Sequence, residues 1–66
     1  MINLEAERRN RGLSQDEMAA KVGVTRRVWG AAENGSQPRG KNARKIARFF
    51  GVEVTAIWPV DERVAA

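Results

Sequence analysis

The chain has no cysteine and no histidine. The first absence excludes disulfides and thiolate chemistry. The second excludes imidazole catalysis and histidine-ligated metal outright. No apolar run approaches the roughly 18 residues that mark a membrane span. The opening Met-Ile-Asn-Leu-Glu lacks a basic n-region and an apolar h-region, so nothing in it suggests export. A cytoplasmic location is the expectation. Asp16, Glu17 and the lysines form no convergent acid/base set, so no enzyme is expected. No cofactor, metal or small-molecule ligand is expected either. A length of 66 residues makes one domain, near the lower size at which a core holds unaided.

Acidic residues are missing from one segment in particular. Net charge is +4 and the sequence pI is near 10.7, beyond the roughly pI 9 typical of nucleic-acid-binding domains. From Ser36 to Gly51 the chain carries Arg39, Lys41, Arg44, Lys45 and Arg48 and no acid. Before Ser36 there are six bases against five acids. The excess is therefore local. A charge run ordinarily means a solvated helix face. This one follows a segment that gives phosphate binding a second argument.

That segment is Ser14 to Gly35. Ser14 and Glu17 have the S-x-x-E spacing of a capping box, with Leu13 and Met18 at the hydrophobic-staple positions. Gly23 can take positive φ and end the helix. Thr25 then caps a second helix, Val24 and Trp29 repeat the staple spacing, and Gly35 closes it after Asn34. Two short helices joined by a glycine-containing turn have the form of a helix-turn-helix. Met18, Ala19 and Val22 share one stripe, as do Trp29, Ala32 and Glu33. Arg26, Arg27, Gly30, Ala31 and Asn34 fall off that second stripe, on the face a recognition helix turns to DNA. Capping signals alone do not separate this motif from an ordinary αα-hairpin.

The rest of the chain supplies three further helices. Asn3 caps the first, through about Arg11, with Glu5 and Glu7 near its start and Arg8, Arg9 and Arg11 near its end, which suits the macrodipole. Its apolar face is thin: Ile2, Leu4 and the stem of Arg8. It is expected to be the least stable helix. Pro38 forbids helix around Ser36 to Arg39. A fourth helix from about Gly40 to Phe50 places Ala43, Ile46, Ala47 and Phe50 at i, i+3, i+4, i+7, a core stripe. Phe49 lies off it. Val52 is expected to be buried, and Val54, Ile57 and Trp58 to form a short fifth element that Pro59 ends. The domain then covers residues 1–59, with 60–66 a fraying tail.

Leu13-Ser14-Gln15-Asp16-Glu17-Met18-Ala19, then Gly23-Val24-Thr25, then Glu33-Asn34-Gly35, with Ile46-Ala47 and Gly51-Val52 downstream, resemble the phage-repressor and Cro-like helix-turn-helix family, also called Xre-type. The match runs from about Arg8 to Trp58. It implies an all-α, compact, five-helix lambda-repressor-like domain with the helix-turn-helix at helices 2 and 3. Two positions depart from the pattern. The family has a smaller residue at Trp29 and a larger one at Ala32, an exchange that conserves volume if neighbours repack. At Arg39 the family often places a serine or threonine cap.

The resemblance also implies roles. Arg8 would pair with Glu33. Gln15 would anchor a phosphate at a helix N-terminus, where free N–H groups and the dipole favour an anion. Asn34 and Arg39 match the corner that clamps the backbone, with Thr25, Lys41 and Arg44 adding to it. Arg26 and Arg27 open the recognition helix, where a guanidinium fork matches guanine O6 and N7. Gly30 and Ala31 offer only close approach or a thymine-methyl contact.

The function so implied is a sequence-specific duplex-DNA-binding transcriptional regulator, a repressor of Cro-like or immunity-repressor type from a phage or prophage, acting by operator occupancy. A homodimer on a two-fold operator belongs to that picture, although apolar surface for it is scarce beyond Phe49, Val60 and Val64. A DNA-binding antitoxin, a recombination directionality factor and a protein-interaction bundle are the rival readings.

Overall fold

In the computed structural model, residues 2–59 are described, and they form five α-helices without a strand: α1 Leu4–Asn10, α2 Gln15–Val22, α3 Arg26–Glu33, α4 Lys41–Phe50 and α5 Val54–Ile57. The expected fraying of Val60 to Ala66 lies outside these residues.

The boundaries follow from side-chain caps. Asn3 Oδ1 accepts from the Ala6 N–H at 3.0 Å. The capping box of α2 is closed from both sides: the Glu17 N–H donates to Ser14 Oγ at 3.1 Å, and the Ser14 N–H donates to Glu17 Oε1 at 2.9 Å. That second bond holds the Glu17 carboxyl below its ordinary range. Gly23, at φ 91°, ends α2 in the left-handed region, where a β-carbon is strained. Thr25 Oγ1 accepts from the Val28 N–H at 3.2 Å. Gly35, at φ 93°, lets the Gly35 and Ser36 N–H groups turn back onto the Ala32 and Ala31 carbonyls, a Schellman closure of α3. Only α4 and α5 begin without a side-chain cap.

The stripes meet in one core. Leu4, Met18, Ala19, Val22, Trp29, Ala32, Ala43, Ile46, Ala47, Ile57 and Trp58 are buried. Trp29 carries the largest fully buried side chain. The small Ala32 on its own helix, together with Ala43 and Ala47 on α4, keeps the remaining core volume low, and the Phe50 ring lies 6.5 Å from the Trp29 ring, centroid to centroid. Thus the exchange of large and small residues in α3 is accommodated.

Two expectations of burial are corrected in degree. Val52 and Phe50 are packed against the core but only half-buried. Each follows from its place at an end: Phe50 closes α4 and Val52 sits in the turn to α5, where solvent reaches one side. Phe49 is exposed, with its ring edge-on to Phe50 and the Arg11 guanidinium 5.6 Å from its centroid. The thin first helix is tied down at both ends. The Ile2 N–H donates to the Ala56 carbonyl at 3.2 Å, and Arg8 Nη1 donates to the Leu13 carbonyl at 2.9 Å.

Candidate nucleic-acid interface

Trp29 and Ala32 anchor α3 in the core and so decide which face is free. Arg26, Arg27, Ala31 and Asn34 are exposed. Arg27, Ala31 and Asn34, spaced i, i+4, i+7, make one outward row. Arg26 stands beside it, toward α2, with Nε 3.4 Å from Asp16 Oδ1. Thr25 is exposed as well, and its hydroxyl hydrogen is left over once its oxygen has capped α3. Gly30 sits differently. It is half-buried, and a β-carbon there would lie 3.9 Å from Gln15 Nε2. The N-terminus of α2 therefore covers this side of α3.

Behind that face lies an anchored carboxylate. Arg8 Nε donates to Glu33 Oε2 at 2.6 Å and Nη2 to Oε1 at 3.3 Å. Gln15 Nε2 donates to Oε1 at 3.2 Å, and the Trp29 indole N–H donates to Oε2. The side chains of Arg8 and Glu33 are only 14% and 5% exposed, so the pair is largely out of water and needs these partners. Burial alone would raise the Glu33 carboxyl, but the donors on Arg8, Gln15 and Trp29 outweigh it and hold it below its ordinary value. Glu33 in turn raises the Arg8 guanidinium. One side chain thus joins α1, α2 and α3 and fixes the orientation of the exposed row.

Gln15 is the residue whose surroundings differ most from the sequence reading. Its amide is seated on Glu33, between α2 and α3. One N–H is used there; the second N–H and the carbonyl remain for another partner. The Trp29–Glu33 bond had a signal in the sequence, since i and i+4 share a helical face. The Gln15 and Asp16 contacts had none, because they depend on how α2 and α3 cross.

The basic segment divides on folding. Arg39, Lys41, Arg44, Lys45 and Arg48 are all exposed. Arg39 and Lys41 flank the uncapped start of α4, at the corner that Asn34 opens. Arg44 and Arg48 line a shallow depression with Val52 and Val54, toward α5. Lys45 points elsewhere, and its Nζ donates to the Gly23 carbonyl at 3.2 Å, in the turn between α2 and α3. Among the described residues no acidic cluster could hold a metal ion, and no helix is long and apolar enough to cross a membrane.

A capped helix pair of this geometry, with its second helix turned outward, defines a class. The chain belongs to the helix-turn-helix family, in its repressor-like (Xre) form: the family model matches residues 4–57. It is similar to an uncharacterized HTH-type transcriptional regulator of Methanocaldococcus jannaschii, with 45% identity over 47 residues, covering 70% of this chain and 71% of that protein. No solved structure matches the chain. At the level of class, this is a DNA-binding regulator of transcription.

Proposed function

We propose that the chain binds specific duplex DNA through α3 and regulates transcription by occupying an operator, in the manner of a small repressor. The observation that carries this reading is the exposed face of α3, with two arginines at the helix start, held by buried Trp29 and half-buried Glu33. The major groove admits an α-helix, and its base edges present an unambiguous donor and acceptor code. Residues at the N-terminal end of the second helix make the base contacts in this motif. Arg26 and Arg27 take that role here, with Ala31 against a thymine methyl; the half-buried Gly30 faces Gln15 and lets α2 and α3 approach closely rather than meeting a base. Gln15, Thr25, Asn34, Arg39, Lys41 and Arg44 grip the backbone, which sets register without reading sequence. The name of the similar Methanocaldococcus jannaschii protein supports regulation as the outcome. A homodimer on a two-fold operator and a Cro-like or immunity-repressor role in a phage or prophage extend the reading, on the family resemblance. So does action in the cytoplasm, where duplex DNA is found.

Base selection from a random duplex library tests the role of the arginines. Arg26→Ala and Arg27→Ala are each expected to relax preference at one or two positions, with about 1–3 kcal/mol of discrimination lost per good guanine contact. Two variants that select the same sequences as the parent would leave α3 without a base-reading role.

The backbone contacts have a different signature. Each phosphate neutralised releases counterions and adds about 0.9 to the slope of log affinity against log salt. Lys41→Gln and Arg44→Gln are expected to lower that slope by this amount on specific and random duplexes alike, with the preferred sequence unchanged. Arg48→Gln should do less, being further along α4. Lys45→Gln should also do less, because its ammonium already serves Gly23. Unchanged slopes for Lys41→Gln and Arg44→Gln would make the run a solvated helix face.

A further inference from the structure

Asp16 is a carboxylate on a surface assigned to a polyanion. It stands in the first turn of α2, exposed, next to Gln15. An acid there repels phosphate and weakens binding to any DNA. Its neighbour is Arg26, the first residue of α3, and the contact is between Arg26 Nε and Asp16 Oδ1 at 3.4 Å. The guanidinium atom involved matters. Arginine presents five N–H donors in a rigid fork. The two make an exposed ion pair with no hydrogen bond between them; the carboxylate lies nearest the inner edge and leaves the terminal Nη1 and Nη2 groups. Those are the groups that match guanine O6 and N7 end-on. A long flexible side chain drawn toward an opposite charge also has less freedom left to lose when it docks.

We propose that Asp16 is a positioning residue for base readout, drawing the Nε edge of Arg26 toward α2 by charge so that its terminal fork faces a guanine. The inference rests on Arg26 as a base-reading residue. Specificity is gained at one position while the extra negative charge lowers affinity for every duplex. The two effects act on different observables and can be separated. A plain structural role is also distinguishable. An acid in the first helical turn favours the macrodipole, and its loss would alter melting without touching base preference.

The experiment is selection of bound duplexes by Asp16→Ala, Asp16→Asn, Arg26→Ala and the Asp16→Ala/Arg26→Ala double variant. Affinity for the selected and a random duplex is measured alongside. Asp16 is three-quarters exposed, so folding survives its replacement. Asp16→Ala is expected to lower the guanine preference about two- to fivefold, the range of an exposed ion pair, at the position that Arg26→Ala erases. Other positions keep their preference, and random duplex is bound more tightly. Asp16→Asn, which retains an acceptor, keeps part of the preference. In the Arg26→Ala background, Asp16→Ala changes nothing further at that position. If Arg26→Ala erases a preference that Asp16→Ala leaves intact, this inference is overturned while base reading by Arg26 stands. If Arg26→Ala erases none, the base-reading premise fails and this inference with it.

Discussion

Trp29→Ala is expected to leave the domain unfolded at room temperature. Emptying an aromatic site in a core costs about 3–5 kcal/mol. A chain of this length holds on the order of 3–10 kcal/mol in total, and a core this small seldom supplies more than about 3–5. Trp29 is fully buried and touches the half-buried Phe50 ring. It also supplies one of the donors that keep Glu33 ionised, so its loss removes both packing and a polar partner. Trp29→Phe separates the two. Most of the volume remains, the indole N–H is gone, and a smaller loss of about 1–3 kcal/mol is expected for the weakened carboxylate site. Thermal melts followed by circular dichroism give both values. A Trp29→Ala protein that melts like its parent would mean the indole is not in the core, and the outward face of α3 would then be assigned the wrong way round.

Arg8→Ala and Glu33→Ala should come next in size. Removing one member of a partly buried pair leaves the other without its partner, and each variant is expected to melt clearly below the parent. Both losses should fall short of those of a fully buried pair, since Arg8 keeps some access to water at 14% exposure. Glu33→Ala should be the costlier change, because it strands the Trp29 N–H, which has no access at all. The same site sets a pH dependence. The carboxyl of Glu33 titrates lower in the folded protein than in the unfolded chain, where glutamate lies near about 4.3. Its contribution is therefore present above about pH 4.3 and is lost as pH falls through the folded value. Urea midpoints measured on acidification should fall more steeply for the parent than for Glu33→Gln, which has no proton to take up there. Parallel curves would mean that Glu33 titrates alike in both states.

Much of this fold is written in local signals. Ser14 with Glu17, Asn3, Thr25, Gly23 and Gly35 each mark a helix end through a bond that spans at most a few residues, and the structure forms those bonds. The stripes through Met18, Ala19 and Val22, and through Trp29 and Ala32, are equally local, because the helical period alone puts them on one side. Contacts across the crossing of α2 and α3 were not legible. Gln15 reaching Glu33 and Arg26 meeting Asp16 depend on an interhelical angle that no short spacing encodes. Lys45 shows the same limit: its exposed position could be read, but its attachment to the Gly23 carbonyl could not. Burial at the ends of elements was overestimated for Val52 and Phe50, since hydrophobicity does not report how much chain lies beyond to cover them.

Sequence-specific recognition of duplex DNA by α3 is the centre of this reading. The most direct measurement is selection of bound duplexes from a random library by the unaltered protein. A short enriched site containing guanine at the positions facing Arg26 and Arg27 is the expected result. A pool that stays random after repeated rounds would contradict it.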